Sequence, residues 1–252
     1  IKFSEDNPRI LLLNSYIPYF KAGDYAKDEK YEKAILEMTK SINYVKRWYN
    51  YYSRGKYYKS VGEYELALKD IENSYELRPD AFAPLMQKGL ILRKLGRAEE
   101  SLTTFNHAIS LYPRKSPLYN SRALIYWDFK DYQKAHDDYA SALEINPSSS
   151  YAWEQKGRLN HYHLNNSVQA VIDLSKATGL NSDPDTWYEY ASVLYYTKDM
   201  SAVPAYRSFL NLCQLNQCDS GKELWATRFL ACVTKQPSCS WKPEFYAHWV
   251  IE

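Results

Sequence analysis

Glycine is scarce, 8 of 252 residues, and nowhere does it gather into a loop that could cradle phosphate. Gly221-Lys222 is followed by Glu223, where such a loop needs Ser or Thr to hold the metal. The patterns Gly-x-Ser-x-Gly and His-Glu-x-x-His are absent, which removes the sequence marks of two common hydrolase classes. There are 5 histidines, and the two nearest in sequence, His161 and His163, would diverge by roughly 200° on a helix, so they cannot share a metal without distortion. These absences predict a chain that is not an enzyme, with no catalytic residue, no cofactor and no metal site. Charge of one sign is also missing: 32 Lys and Arg stand against 30 Asp and Glu, a net charge of +2, which gives no footprint for nucleic acid or a membrane surface. The most apolar stretch, "ILLLNSYIPYF", is shorter and more polar than the roughly 18 residues of a membrane span, so no transmembrane segment is expected, and it lacks the layout of a secretory signal.

What the chain has instead is tyrosine, 25 residues of it, and a spacing. Tyr51, Leu85, Tyr119, Trp153 and Trp187 stand 34 residues apart, and four residues after each comes a small one, Gly55, Gly89, Ala123, Gly157 or Ala191. Further columns follow at Ala67/Ser101/Ala135, Ile71/Phe105/Tyr139 and Pro79/Pro113/Pro147. Large residues three and four positions from a small one make one apolar helical face with a place of close approach. Gly62 and Gly96 fall between two such faces, where a helix has to stop and turn, and each Pro ends a period because it cannot donate the bond that continuation needs.

This pattern resembles the tetratricopeptide repeat (TPR), a helix-turn-helix unit of this length. The resemblance implies an all-α fold, a right-handed superhelical solenoid with a non-repeat C-terminal cap. It divides the chain into a degenerate helical pair (1–47), three regular repeats (48–81, 82–115, 116–149), a repeat with an insertion (150–184), a degenerate repeat (185–217) and a Cys-containing capping helix and tail (218–252). In the fourth repeat the small residue of the second helix, Ala170, comes one residue late, which a single insertion after Leu164 explains. Pro18 predicts a bend, or a late start, in the first helix at about 10–23.

A basic column, Arg54, Lys88, Arg122 and Lys156, precedes the small residues, with Asp70, Asp138 and Asp173 sixteen or seventeen positions beyond three of its members. We expect ion pairs Arg54–Asp70, Arg122–Asp138 and Lys156–Asp173 inside the repeats. Lys88 faces Thr104 in the same register and should point outward.

The resemblance also implies a concave groove lined by the first helix of each repeat. Its positions carry over to Tyr52, Lys56 and Lys59, then Met86, Leu90 and Arg93, then Asn120, Leu124 and Trp127, then Glu154, Arg158 and His161, and finally Tyr188 and Tyr195. Such a mixture of aromatic, aliphatic and basic groups suits a protein or peptide partner with apolar anchors and some acidic character. The family's clamp for a C-terminal carboxylate is unmatched, because Tyr52 and Lys56 occupy its Lys and Asn places.

All four cysteines, Cys213, Cys218, Cys232 and Cys239, lie where the repeats end. Three disulfide pairings are open, the most local being Cys213–Cys218 with Cys232–Cys239; buried thiols are an alternative, and the spacing suits zinc poorly. Oxidised cysteines would place the chain in the periplasm or a secretory route, reduced ones in the cytoplasm. Asn165-Asn166-Ser167 forms a glycosylation triplet in the fourth repeat. Trp241, Phe245, Tyr246 and Trp249 either cap the last repeat or dock another chain, self-association included. The function expected is a non-catalytic protein-protein interaction scaffold, with cell-envelope assembly as one setting. The alternative is a regulatory or targeting subunit of an envelope-modifying enzyme, such as a glycosyltransferase or a peptidoglycan-modifying enzyme.

Overall fold

The computed structural model describes residues 8–216 and 218–235, and among these all the regular structure is helical. The helices are α1 (Pro8–Lys27), α2 (Tyr31–Tyr44), α3 (Trp48–Ser60), α4 (Tyr64–Leu77), α5 (Phe82–Lys94), α6 (Ala98–Leu111), α7 (Ser116–Asp128), α8 (Tyr132–Ile145), α9 (Ser150–Tyr162), α10 (Ser167–Leu180), α11 (Pro184–Tyr196), α12 (Ala202–Cys213) and α13 (Ser220–Lys235). The chain divides into two compact units, Ile1–Phe129 and Lys130–Glu252.

Within the first unit α1 packs on α2, α3 on α4 and α5 on α6, and each of these second helices also meets the first helix that follows it. The small-residue column explains the pairing. A Cβ on Gly55 would lie 3.0 Å from Ile71 Cδ1 and 3.1 Å from the Ala67 carbonyl oxygen, and one on Gly89 would lie 2.6 Å from the Phe105 ring. The helices touch where a side chain is missing. Contacts to the preceding pair are apolar too: Ile91 joins Ala67, Leu68 and Ile71, and Ile125 joins Phe105 and Ala108, all of them buried.

In the second unit α9 packs on α10, α11 on α12, and α13 on α12. Gly157 repeats the close approach, with Leu174 Cγ 2.8 Å from the site of a Cβ. A larger core closes this unit. Tyr188, Ala191, Leu194, Tyr206 and Phe209 pack with Ala226 and Phe229 of α13, and Trp225 stacks on Phe229 at 5.4 Å. Trp241, Phe245, Tyr246 and Trp249 lie outside the described residues.

The turn between the helices of a pair is a Schellman motif that recurs along the chain. Gly62 (φ +83°) donates to the Lys59 carbonyl while Glu63 donates to that of Tyr58, and Gly96 (φ +73°) with Arg97 repeats the arrangement. Lys198 takes the same place at φ +60°, with Lys198 N bonded to Tyr195 O and Asp199 N to Leu194 O. An L side chain is strained in this left-handed region. We therefore expect Lys198→Gly to raise stability by up to about 1 kcal/mol, and Gly62→Ala to lower it by about 1 kcal/mol. Urea melts of the two variants check this, and a destabilised Lys198→Gly would contradict it.

The turn from α9 to α10 spans four residues, 163–166, against three, 61–63, between α3 and α4, so the insertion expected after Leu164 is there. Of the two expectations for α1, the late start needs correction. The helix starts at Pro8 and runs unbroken past Pro18, whose ring is buried against the pair. Tertiary packing outweighs the missing amide donor, and the Ser15 carbonyl nearby accepts from the Ser41 hydroxyl of α2 at 2.8 Å.

Candidate functional site

Two of the expected ion pairs fix the repeats from inside. Arg54 of α3 donates in bidentate fashion to Asp70 of α4, at 2.7 and 2.8 Å, and its third contact is Thr39 Oγ1 of α2 at 3.0 Å. Lys156 Nζ lies 2.9 and 3.1 Å from the two oxygens of Asp173, a carboxylate with no exposed surface that also accepts from Asn160 (2.8 Å) and Gln169 (2.9 Å). In the third expected pair, Arg122 and Asp138 belong to different units, and within its own unit Arg122 donates to Asn106 Oδ1 at 2.7 Å. Lys88 leaves Thr104 and reaches Glu72 Oε1 at 2.8 Å on the partly exposed side. The basic column thus serves internal geometry.

First helices lie side by side in each unit, and polar bonds join them. In the first unit Lys59 of α3 donates to Gln87 of α5 at 2.7 Å, and Arg93 of α5 forms a bidentate pair with Asp128 of α7 at 2.6 and 2.9 Å. Burial pushes the Lys59 amine down from its ordinary value, and the charges of Lys56 and Lys94 push the same way. Two of the cations assigned to a groove therefore already have protein partners. Lys56 is exposed, with its amine 5.8 Å from the centre of the Tyr52 ring. Met86, Leu90, Asn120, Leu124 and Trp127 are half-buried, and Asn120 Oδ1 is a buried acceptor without a hydrogen-bond donor.

The second unit ties α9 to α11 by Thr186 Oγ1 to Glu154 Oε2 at 3.1 Å and Tyr162 OH to Glu189 Oε2 at 2.9 Å. Burial raises the Glu154 carboxyl, and the hydrogen bond from Thr186 partly opposes it. Arg158 is half-buried, with no partner for its Nε. His161 stacks edge-on against Tyr162 and Tyr196, and its Nδ1 lies 3.0 Å from the Ser167 hydroxyl. Two of the expected residues face elsewhere. Tyr188 is only 7% exposed and packs on Tyr206, Phe209 and Trp225, while Tyr195 leans on Trp225 and Phe229, because α13 fills the space that an open groove would leave. Gln87, Asp128, Tyr162, Thr186 and Glu189, which the motif positions do not include, are the residues that join neighbouring first helices.

Burial pushes the His161 imidazole below its ordinary value, against the opposing charge of Glu189, and His163 is lowered by burial and then by Arg158. A depressed folded pKa means stability that is present above about pH 6.5 and lost as pH falls through the folded value. Glu154, raised by burial, acts in the opposite sense. His161→Gln should flatten the fall in urea midpoint between pH 7 and 5, and an unchanged slope would contradict the assignment.

Cys213 and Cys218 form a disulfide across the turn after α12. The other expected pair includes Cys239, which lies outside the described residues. Among the described residues no helix is long and apolar enough to cross a membrane.

Comparison with known proteins agrees with this architecture. Residues 49–81, 84–115 and 116–149 match the tetratricopeptide repeat family. Tetratricopeptide repeat protein 13 of Homo sapiens is 33% identical over 113 residues, 45% of this chain, and the match spans 13% of that protein's length. Among solved structures, Pseudomonas aeruginosa PilF superposes with a TM-score of 0.68 at 16% identity, covering 88% of this chain and 98% of PilF. The C-terminal part of a TPR repeat-containing protein from Cytophaga hutchinsonii gives 0.67 at 18% identity, covering 87% of this chain and 90% of that one. Yeast Tom70 gives 0.62 at 17% identity, covering 92% and 56%. At these identities the structures show a shared fold alone. Residues 49–149 thus carry three consecutive tetratricopeptide repeats, and the same close packing is carried on at Gly157.

Proposed function

We propose that the chain is a non-catalytic scaffold whose first helices hold an extended peptide or a partner helix. Stacked repeats of this kind present an extended surface, and the fold itself supports protein-protein interaction. One observation carries the finer reading. In the first unit the neighbouring first helices are held together by Lys59–Gln87 and Arg93–Asp128, and on these helices Met86, Leu90 and Leu124 are half-buried while Lys56 is exposed. Rigid apolar positions together with a cation suit a segment with hydrophobic anchors and an acidic group, since the ordering cost of the receptor has already been met in folding. With the Cys213–Cys218 disulfide, the reading places the scaffold in an oxidising compartment.

Selection from a displayed random-peptide library tests this. The expected peptides share apolar anchors and an acidic residue, and lose at least about tenfold in affinity for Leu90→Asp, as loss of a central anchor implies. Recovery of no specific peptide, or of peptides indifferent to Leu90→Asp and Lys56→Glu, would overturn the proposal.

A further inference from the structure

The insertion in the fourth repeat sets an unusual residue at the tip of a turn. Asn165 is exposed at φ +52°, and it begins Asn165-Asn166-Ser167, where the chain has its one Asn-x-Ser/Thr triplet without proline at the middle position. Its neighbours are differently placed. Asn166 caps α10, its Oδ1 accepting from Gln169 N at 3.2 Å, and Ser167 opens that helix with its hydroxyl 3.0 Å from His161 Nδ1. Asn165 is thus the acceptor by sequence and the outward residue by structure. Beside the turn lies an open recess of about 510 Å³ lined by Leu164 together with the polar Gln133, His136, Lys156, Asn160, Asn166 and Gln169. A bulky hydrated group on the exposed Asn165 amide has open space beside it. The second observation is independent: the same unit contains the Cys213–Cys218 disulfide, which forms and persists in the compartments through which secreted chains pass.

We propose that Asn165 carries an N-linked oligosaccharide. The donor class is a lipid-pyrophosphate-linked oligosaccharide with N-acetylhexosamine at its reducing end. A bond forms between Asn165 Nδ2 and the sugar's C1, the C1–O bond to pyrophosphate breaks with its electron pair leaving on the phosphate oxygen, and the amide gives up one proton. No oxidant or reductant is required. The modification is separate from the peptide-binding role and stands or falls without it.

The test uses the chain expressed from its full-length gene in a eukaryotic host, analysed by intact and peptide mass before and after peptide N-glycosidase, with cysteine alkylation of the same sample. The expected result is loss of one glycan mass, with Asn165 converted to Asp. Asn165→Gln and Ser167→Ala should each abolish the modification, and Asn166→Gln should leave it in place. Unmodified Asn165 overturns the proposal, and the alkylation says which premise failed: labelled thiols mean a reducing compartment, while protected cysteines mean that the turn was passed over in an oxidising one.

Discussion

Asp173→Ala is expected to destabilise the second unit by about 3–5 kcal/mol, since removal of one partner strands the other charge of a buried pair. The side chain of Asp173 is wholly buried and that of Lys156 is 12% exposed, so water cannot take over. Asn160 and Gln169 would lose an acceptor in the same step. The double variant Lys156→Met/Asp173→Leu should cost far less than Asp173→Ala, because apolar replacement of both charges removes the desolvation penalty together with the attraction. In stacked repeats a single global transition is not assured, so hydrogen exchange in α9 and α10 is the proper readout beside urea melts. Equal losses for the single and double variants would mean that the pair contributes more than its geometry implies.

Gly89→Ala should be the most damaging single-methyl addition, at about 1–3 kcal/mol of overpacking strain. Its Cβ would fall 2.6 Å from two atoms of the Phe105 ring, which is fully buried and confined by Leu85, Ala108, Leu118 and Ile125. Gly23→Ala is the control, since nothing lies within 4 Å of that added carbon. On α1 it should be neutral or slightly stabilising, alanine being the better helix former by up to about 1 kcal/mol. Pairing Gly89→Ala with Phe105→Leu should recover part of the loss. Failure of that rescue in thermal melts would show that the strain lies in the backbone rather than at the ring.

Much of the fold was legible because one geometric need recurs every 34 residues: a gap for the facing helix, an apolar residue to fill it and a turn to reverse the chain. Gly89 with Phe105, Gly157 with Leu174 and the left-handed Gly62 and Gly96 show that need directly. Arg54–Asp70 and Lys156–Asp173 were legible for the same reason, since both partners occupy repeating places inside one helical pair. Contacts between repeats were not. Lys59 and Arg93 share one column, 34 residues apart, but their partners Gln87 and Asp128 lie 28 and 35 residues further on and so in different columns; no periodicity marks the pairs, and the two cations are less available than their positions imply. Tyr188 was misplaced by the same logic carried too far. Its position lines a groove only where another first helix follows, and here the follower is α13, whose Trp225 and Phe229 build a closing core. Pro18 pointed to a late start as one outcome, and the helix instead begins at Pro8 and continues through the buried proline.

The most direct test of the scaffold reading is to place a photo-cross-linking amino acid at Leu90, on a first helix, and separately at Leu66 and Leu77, exposed on a second helix. Irradiation with the library-selected peptide should give adducts at Leu90 and none at the other two positions. Adducts from Leu66 or Leu77, with Leu90 silent, would put binding on the opposite helices and contradict the account.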